Sequence, residues 1–156
     1  MKKRVVVIDD EAEVCELIGK VLIRAGHEVL LAHTGEVGLA LIEANQVLKP
    51  IDCLVVDKLL PQMGGLEVVA AVRNRWPHVA IVLVTAHPEP FNLEAERPEV
   101  VLAKPFKNLA AVEDAVKEAI EAHAEARSET RSPLTTLKER VAAVVTQITP
   151  GRRKRP

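Results

Sequence analysis

Apolar residues come in two kinds of run along this chain, and the two kinds alternate. Residues 4–8 (RVVVI), 28–32 (EVLLA), 51–56 (IDCLVV), 79–84 (VAIVLV) and 100–102 (VVL) are short, nearly continuous and rich in Val, Ile and Leu. Such runs predict strands buried on both faces, as in a parallel sheet. Between them the apolar positions fall three and four apart. Val14, Leu17, Ile18, Val21 and Leu22 predict a helix over 12–25 that Gly26 terminates. Thr34 is placed to cap a second helix running to about Asn45, with Val37, Leu41 and Ile42 facing inward. Gly64 and Gly65 open a third helix, 65–75, on Leu66, Val69 and Val72, and Pro77 ends it. A long helix over about 107–126 follows the fifth strand, on Leu109, Val112, Val116, Ala119 and Ile120. Strands and helices in alternation predict an α/β fold with helices on both faces of one parallel sheet, a three-layer sandwich.

Two segments break the alternation. Residues 87–99, HPEPFNLEAERPE, hold three prolines, so at most a turn or two of helix is expected there. After His123 the chain turns polar (AEARSETRS), which reads as a linker. Ser132 and Pro133 can then start a helix over 133–148, whose stripe is Leu134, Leu137, Val141, Val144, Val145 and Ile148. The division expected is therefore a domain over 1–125 and an extension over 126–156. The extension's helix can pack back on the domain, continue the preceding helix across a kink, or offer a face to a partner or a second copy of the chain.

Composition narrows the function. The chain has 156 residues, 48% of them hydrophobic, enough for one domain with an appendage. Aromatics are 2% with no Tyr, so the core must come from Val, Leu, Ile and Ala, and no surface for stacking bases is expected. Net charge is −1, and the one basic run, Arg152, Arg153, Lys154 and Arg155, reads as a solvated tail, so a nucleic-acid partner is not expected. Cys15 and Cys53 sit inside apolar patterns without metal-ligand spacing and read as reduced core residues of a cytoplasmic protein. No signal peptide is visible, and no run approaches the roughly 20 apolar residues of a membrane span.

The chemistry gathers just past the strands. Asp9 and Asp10 follow the first, Asp57 the third, Thr85 the fourth and Lys104 the fifth. In an open parallel sheet, ligands bind outside those carboxyl ends. If strands one, three, four and five are neighbours, three carboxylates, a hydroxyl and an ammonium share one pocket. Three close carboxylates repel unless a cation compensates them. Mg2+, usually held by one or two carboxylates with waters and phosphate oxygens, fits best. A magnesium ion, a lysine and a hydroxyl are the parts that phosphoryl transfer needs, and a carboxylate not committed to metal can act as nucleophile. Asp57, alone on a central strand, is the candidate. Taken singly each residue has a plainer reading: Asp57 as a turn or cap residue, Asp9 and Asp10 as helix caps, Thr85 as a strand end, Lys104 as a surface lysine, Pro105 as a helix start.

These residues, in the motifs VVVIDDE at 5–11, VVDKLLPQMGG at 55–65, VTA at 84–86 and KPF at 104–106, resemble the receiver domain of two-component response regulators from about Lys3 to His123. The resemblance implies a flavodoxin-like sheet of order 2-1-3-4-5. It implies Asp57 as phospho-acceptor, Asp10 as direct magnesium ligand, Asp9 as an acid acting through water, and the Leu59 carbonyl as a further metal oxygen. Thr85 matches the switch hydroxyl, Lys104 the lysine that pairs with the phosphoryl group, and the Lys104–Pro105 bond is expected to be cis. Its partners would be a histidine kinase or phosphotransfer protein and an unidentified output protein. About thirty residues beyond the domain are too few for a DNA-binding output domain.

The chain also departs from the family's pattern. Val101 stands at the switch position where many receivers carry an aromatic, and Pro88, Pro90 and Pro98 fall where a fourth helix normally runs. Signal output is therefore expected to differ while the pocket chemistry is retained. Two other functions compete: a scaffold that binds without phosphorylation, and an aspartate-nucleophile phosphohydrolase. The second typically needs an acid two residues past the nucleophile, where this chain has Leu59.

Overall fold

The computed structural model describes residues 1–88 and 97–130. The chain divides into two compact units, Met1–His123 and Ala124–Pro156. Among the described residues, five strands build the first: β1 (Arg4–Ile8), β2 (Glu28–Ala32), β3 (Cys53–Asp57), β4 (Ala80–Thr85) and β5 (Val100–Ala103). All pair in parallel in the order β2-β1-β3-β4-β5, as expected. The helices are α1 (Ala12–Arg24), α2 (Gly35–Asn45), α3 (Gly65–Arg75) and α4 (Ala110–Thr130). Residues 89–96 of the irregular segment expected over 87–99, and the helix expected over 133–148, lie outside the described residues.

Side-chain alternation along the strands splits the core in two. Val6, Ile8, Leu54, Val56, Ile81 and Leu83 point to one face and pack with Ile42 of α2 and Val68, Val69 and Val72 of α3. Val5, Val7, Cys53, Val55, Val82 and Val84 point to the other, against Cys15, Ile18 and Leu22 of α1 and Val112, Val116 and Ala119 of α4. The period of two in a strand makes this division unavoidable. Both cysteines are buried and free, and burial pushes the Cys53 thiol up.

Local chemistry sets most element ends. Thr34 Oγ1 accepts the Val37 N–H at 3.2 Å, the expected cap of α2. Gly26 takes φ +93°, which an L side chain rarely adopts, and ends α1. Four details differ from the sequence reading. Leu17 is 40% exposed, because α1 buries the stripe Cys15, Ile18, Gly19 and Leu22 and leaves Leu17 on its far side. Val37 is half exposed, because Gly38 and Ile42 are buried on the face of α2 turned to the core, with Gly38 against Ile8 and Ala32 of the sheet, and Gly35 packs on Val68 of α3 and Met63. Leu109 precedes α4 and is exposed; the helix starts at Ala110, after Asn108 Oδ1 accepts the Ala111 N–H. Finally, α4 runs to Thr130, through residues read as linker. AEARSET holds neither Gly nor Pro, and Ala, Glu and Arg favour helix. Among the described residues no helix is long and apolar enough to cross a membrane.

A charge network closes the amino end of β5. Glu99 Oε2 accepts from Arg73 Nη2 (2.7 Å) and from the Ile81 N–H (2.6 Å), and Oε1 meets His123 Nδ1 at 2.7 Å. Burial of Glu99 disfavours its ionised form, but the bonds from Arg73, His123 and Ile81 outweigh it and hold the carboxyl below its ordinary value. A depressed acid lends stability that is complete above its unfolded pKa and lost as pH falls through the folded one. Acid denaturation of Glu99→Gln should therefore show a shallower loss of stability between about pH 5 and pH 3 than the native chain. Urea midpoints measured across that range check it; parallel curves would remove Glu99 from the account.

Candidate functional site

Strand ends deliver the acids. Past β1, the Asp9 N–H donates to the Ala32 carbonyl at 3.1 Å, and its Oδ1 accepts the Glu11 N–H at 2.9 Å. Its side chain is 1% exposed, whereas the neighbouring Asp10 faces solvent. β3 lies between β1 and β4 and ends on Asp57, which is nearly buried. Asp57 Oδ1 accepts the Leu59 N–H at 3.2 Å, a turn that short acidic side chains favour and that leads the chain out of the sheet. The loop then closes where the Gly65 N–H donates to the Lys58 carbonyl at 2.9 Å.

Lys104 comes from the opposite side. Its N–H donates to the Thr85 carbonyl at 2.8 Å, which keeps it alongside β4, and the Lys104–Pro105 bond that follows is cis. The side chain spans back over the sheet. Its Nζ lies 2.9 Å from Asp9 Oδ2, 3.0 Å from Asp57 Oδ2 and 3.7 Å from Glu11 Oε1. One ammonium thus sits among three carboxylates.

The electrostatics follow from that crowding. Burial raises the Asp9 carboxyl above its ordinary value, and the Asp57 charge adds to it; bonds from Lys104 and the Glu11 N–H only partly offset this. For Lys104 burial works against the charge, but the bonds and charges of Asp9 and Asp57 win and raise its pKa. One ammonium faces the carboxyl groups of Asp9, Asp57 and Glu11, so acidic groups outnumber the basic one. A cation would relieve this. One oxygen each of Asp9, Asp10 and Asp57 lie within 4.8 Å of one another, and all-oxygen donors of this kind suit Mg2+. The residues present therefore fit the ion.

Thr85 is buried at the end of β4, and its hydroxyl is engaged by the His87 backbone. It donates to the His87 carbonyl at 3.2 Å and accepts the His87 N–H at 3.1 Å. So the structure brings Asp9, Asp10, Asp57 and Lys104 together and leaves the Thr85 hydroxyl engaged elsewhere. Leu59 offers its N–H to Asp57 and exposes its side chain; a metal-binding role for its carbonyl rests on the resemblance. Val101 is 38% exposed on β5, a short branched side chain where no ring can turn in or out. Glu11 was not picked out from the sequence as a site residue, though its position directly after two acids at a strand end was the available signal.

A family model for the response regulator receiver domain matches residues 5–117. The chain belongs to this family. Among curated relatives, a response regulator receiver protein of Anaeromyxobacter sp. (strain Fw109-5) is 35% identical over 101 residues, covering 65% of this chain and 41% of that protein. The alkaline phosphatase synthesis transcriptional regulatory protein PhoP of Bacillus subtilis (strain 168) is 35% identical over 92 residues, 59% of this chain and 37% of its own length. The receiver thus spans about 40% of the length of these relatives. Solved receiver domains are matched nearly whole. That of Clostridium thermocellum is 27% identical with a TM-score of 0.68, over 76% of this chain and 94% of the other. The CheY-like receiver domain of Methanospirillum hungatei JF-1 is 25% identical with a TM-score of 0.70, over 80% and 98%.

Proposed function

We propose that this receiver accepts a phosphoryl group on Asp57 and passes the signal on through protein contact. The observation that carries the reading is the Lys104 ammonium held 3.0 Å from Asp57 Oδ2, beside two further carboxylates fit for a divalent cation. Asp9, Asp10 and Asp57, with the Leu59 carbonyl, would hold Mg2+. When bound, the ion neutralises charge on the phosphoryl oxygens in the transition state.

The donor is a phosphohistidine of a histidine kinase or phosphotransfer protein. One Asp57 oxygen forms a bond to phosphorus as the bond from phosphorus to the histidine nitrogen breaks. The electron pair of the broken bond stays on the imidazole, which takes up a proton. Lys104 is placed to pair with the transferred oxygens, and Thr85 can do so once its bond to the His87 carbonyl is given up. The new group adds about 1.5 to 2 negative charges and three acceptor oxygens, enough to favour a different arrangement of the loops after β4 and β5. The low net charge favours a protein rather than a nucleic acid as output partner, and self-association through the C-terminal segment is one form such contact can take.

Intact mass after incubation with acetyl phosphate and Mg2+ tests this. The native chain should gain about 80 Da, one phosphoryl group, and Asp57→Asn none. An equal gain in both would move the acceptor elsewhere. No gain in either would favour the second reading, a scaffold independent of phosphorylation, which Val101 supports.

A further inference from the structure

Glu11 breaks a local rule. It occupies the N-cap of α1 with the extended backbone of a cap (φ −79°, ψ 102°), yet its side chain makes no capping hydrogen bond. Ser, Thr, Asp or Asn at that position would satisfy a free N–H, and a substitution without a cap loses that gain. Local rules are broken mostly where a side chain is needed for something else. Here the Glu11 carboxylate lies 3.7 Å from Lys104 Nζ, while its N–H holds Asp9 Oδ1 at 2.9 Å. One residue therefore touches both members of the Lys104–Asp9 pair.

Lys104 is bound to groups that an incoming divalent cation would also need. Its two short contacts are Asp9 Oδ2 and Asp57 Oδ2, on two of the three residues that fit Mg2+. An ammonium and a dication cannot comfortably share those oxygens, because like charges at such distances repel strongly in a partly buried site. Lys104 has to move as the ion enters. Glu11 is the third carboxylate within reach, and its side chain is 64% exposed. A cavity of about 570 Å3, lined in part by Glu11, Lys104, Ala86 and Phe106, lies on that side and gives the side chain room.

We propose that Glu11 is a positioning residue that receives the Lys104 ammonium when a divalent cation claims Asp9 and Asp57. This rests on the phospho-accepting reading and deepens it. Lys104 then stays next to Asp57, poised for the incoming phosphoryl oxygens, instead of drifting into solvent. Because Glu11 is mostly exposed, its effect is modest.

Calorimetric titration of the full chain with MgCl2 in about 0.15 M salt, which screens exposed charges, tests the role. Glu11→Gln should weaken Mg2+ binding about two- to fivefold. In a Lys104→Met background the same change should have no effect. Equal weakening in both backgrounds would mean that Glu11 acts on the ion directly, and no weakening in either would mean that it takes no part; both overturn the proposal. If Lys104→Met does not fold, as judged by circular dichroism, the NMR resonance of the Lys104 ammonium decides. Glu11→Gln should displace that resonance in the Mg2+-bound protein and leave it nearly unchanged without Mg2+; identical ion-bound positions overturn the role. A native chain that binds no Mg2+ at all would instead sink the phospho-accepting reading itself.

Discussion

In the absence of divalent cations, Lys104→Met should be about 3 kcal/mol less stable than the native chain, the low end for breaking a buried ion pair from one side. Methionine nearly matches the stem of lysine, so the packing changes little and the charge is what is lost. Asp9 is 1% exposed and Asp57 8% at the side chain, so neither can recover in water what the ammonium supplied. Burial already raises the Asp9 carboxyl, and losing the bond and charge of Lys104, which lower it, would raise it further. Lys104 is itself 15% exposed, which is why the larger values known for fully enclosed pairs are not expected. Millimolar Mg2+ should restore much of the loss, because binding to the folded state alone stabilises it. Urea denaturation of native and variant chains, each in EDTA and in MgCl2, measures all four corners. A variant as stable as the native chain in EDTA would show that Asp9 and Asp57 do not depend on Lys104.

Gly65→Ala should cost a similar amount, about 3 kcal/mol, the upper part of the range for overpacking. The reason is backbone contact rather than backbone conformation. A Cβ at Gly65 would lie 2.1 Å from the Asp57 carbonyl oxygen and 2.7 Å from the Lys58 Cα. Side chains can rotate out of the way, but these atoms belong to β3 and the loop that leaves it. Relief requires α3 to withdraw from the strand end, breaking the Gly65 N–H bond to the Lys58 carbonyl. Asp57 would shift with it. The variant should therefore lose stability and also accept phosphate from acetyl phosphate more slowly, by an order of magnitude or more if the carboxylate moves by about 1 Å. Thermal melts and time courses of intact mass check the two effects. A full-rate, full-stability Gly65→Ala would mean that the loop adjusts freely and that the close approach carries no weight.

The sequence made the sheet easy to read because its central strands, β1, β3 and β4, are buried on both faces, whereas the edge strands β2 and β5 are only partly covered. Burial on both faces leaves almost continuous Val, Ile and Leu, a signal that needs no periodicity. The helices were legible in number but less so in facing. Leu17 and Val37 look like core residues by type, yet glycines, Gly19 in α1 and Gly38 in α2, meet the sheet instead. A small residue at a tight helix–sheet contact carries no hydrophobic signal. The site was legible because four strand ends each carried a polar residue, and topology brought them together. What could not be read was pairing. No spacing in the sequence says that Lys104 bonds Asp9 and Asp57 at once, that Thr85 turns to His87, or that Glu11 serves Lys104 rather than its own helix. Those depend on distances of a few ångströms between residues up to 95 positions apart.

The sheet itself has a consequence for how this molecule can vary. Among the described residues the buried side chains fall into two clusters, so the layer under α2 and α3 and the layer under α1 and α4 are filled separately. A void opened on one side cannot be closed by a larger residue on the other. Compensating changes in the lineage of such a chain must arise as neighbours within one layer, and the two halves of the interior are free to drift on independent schedules.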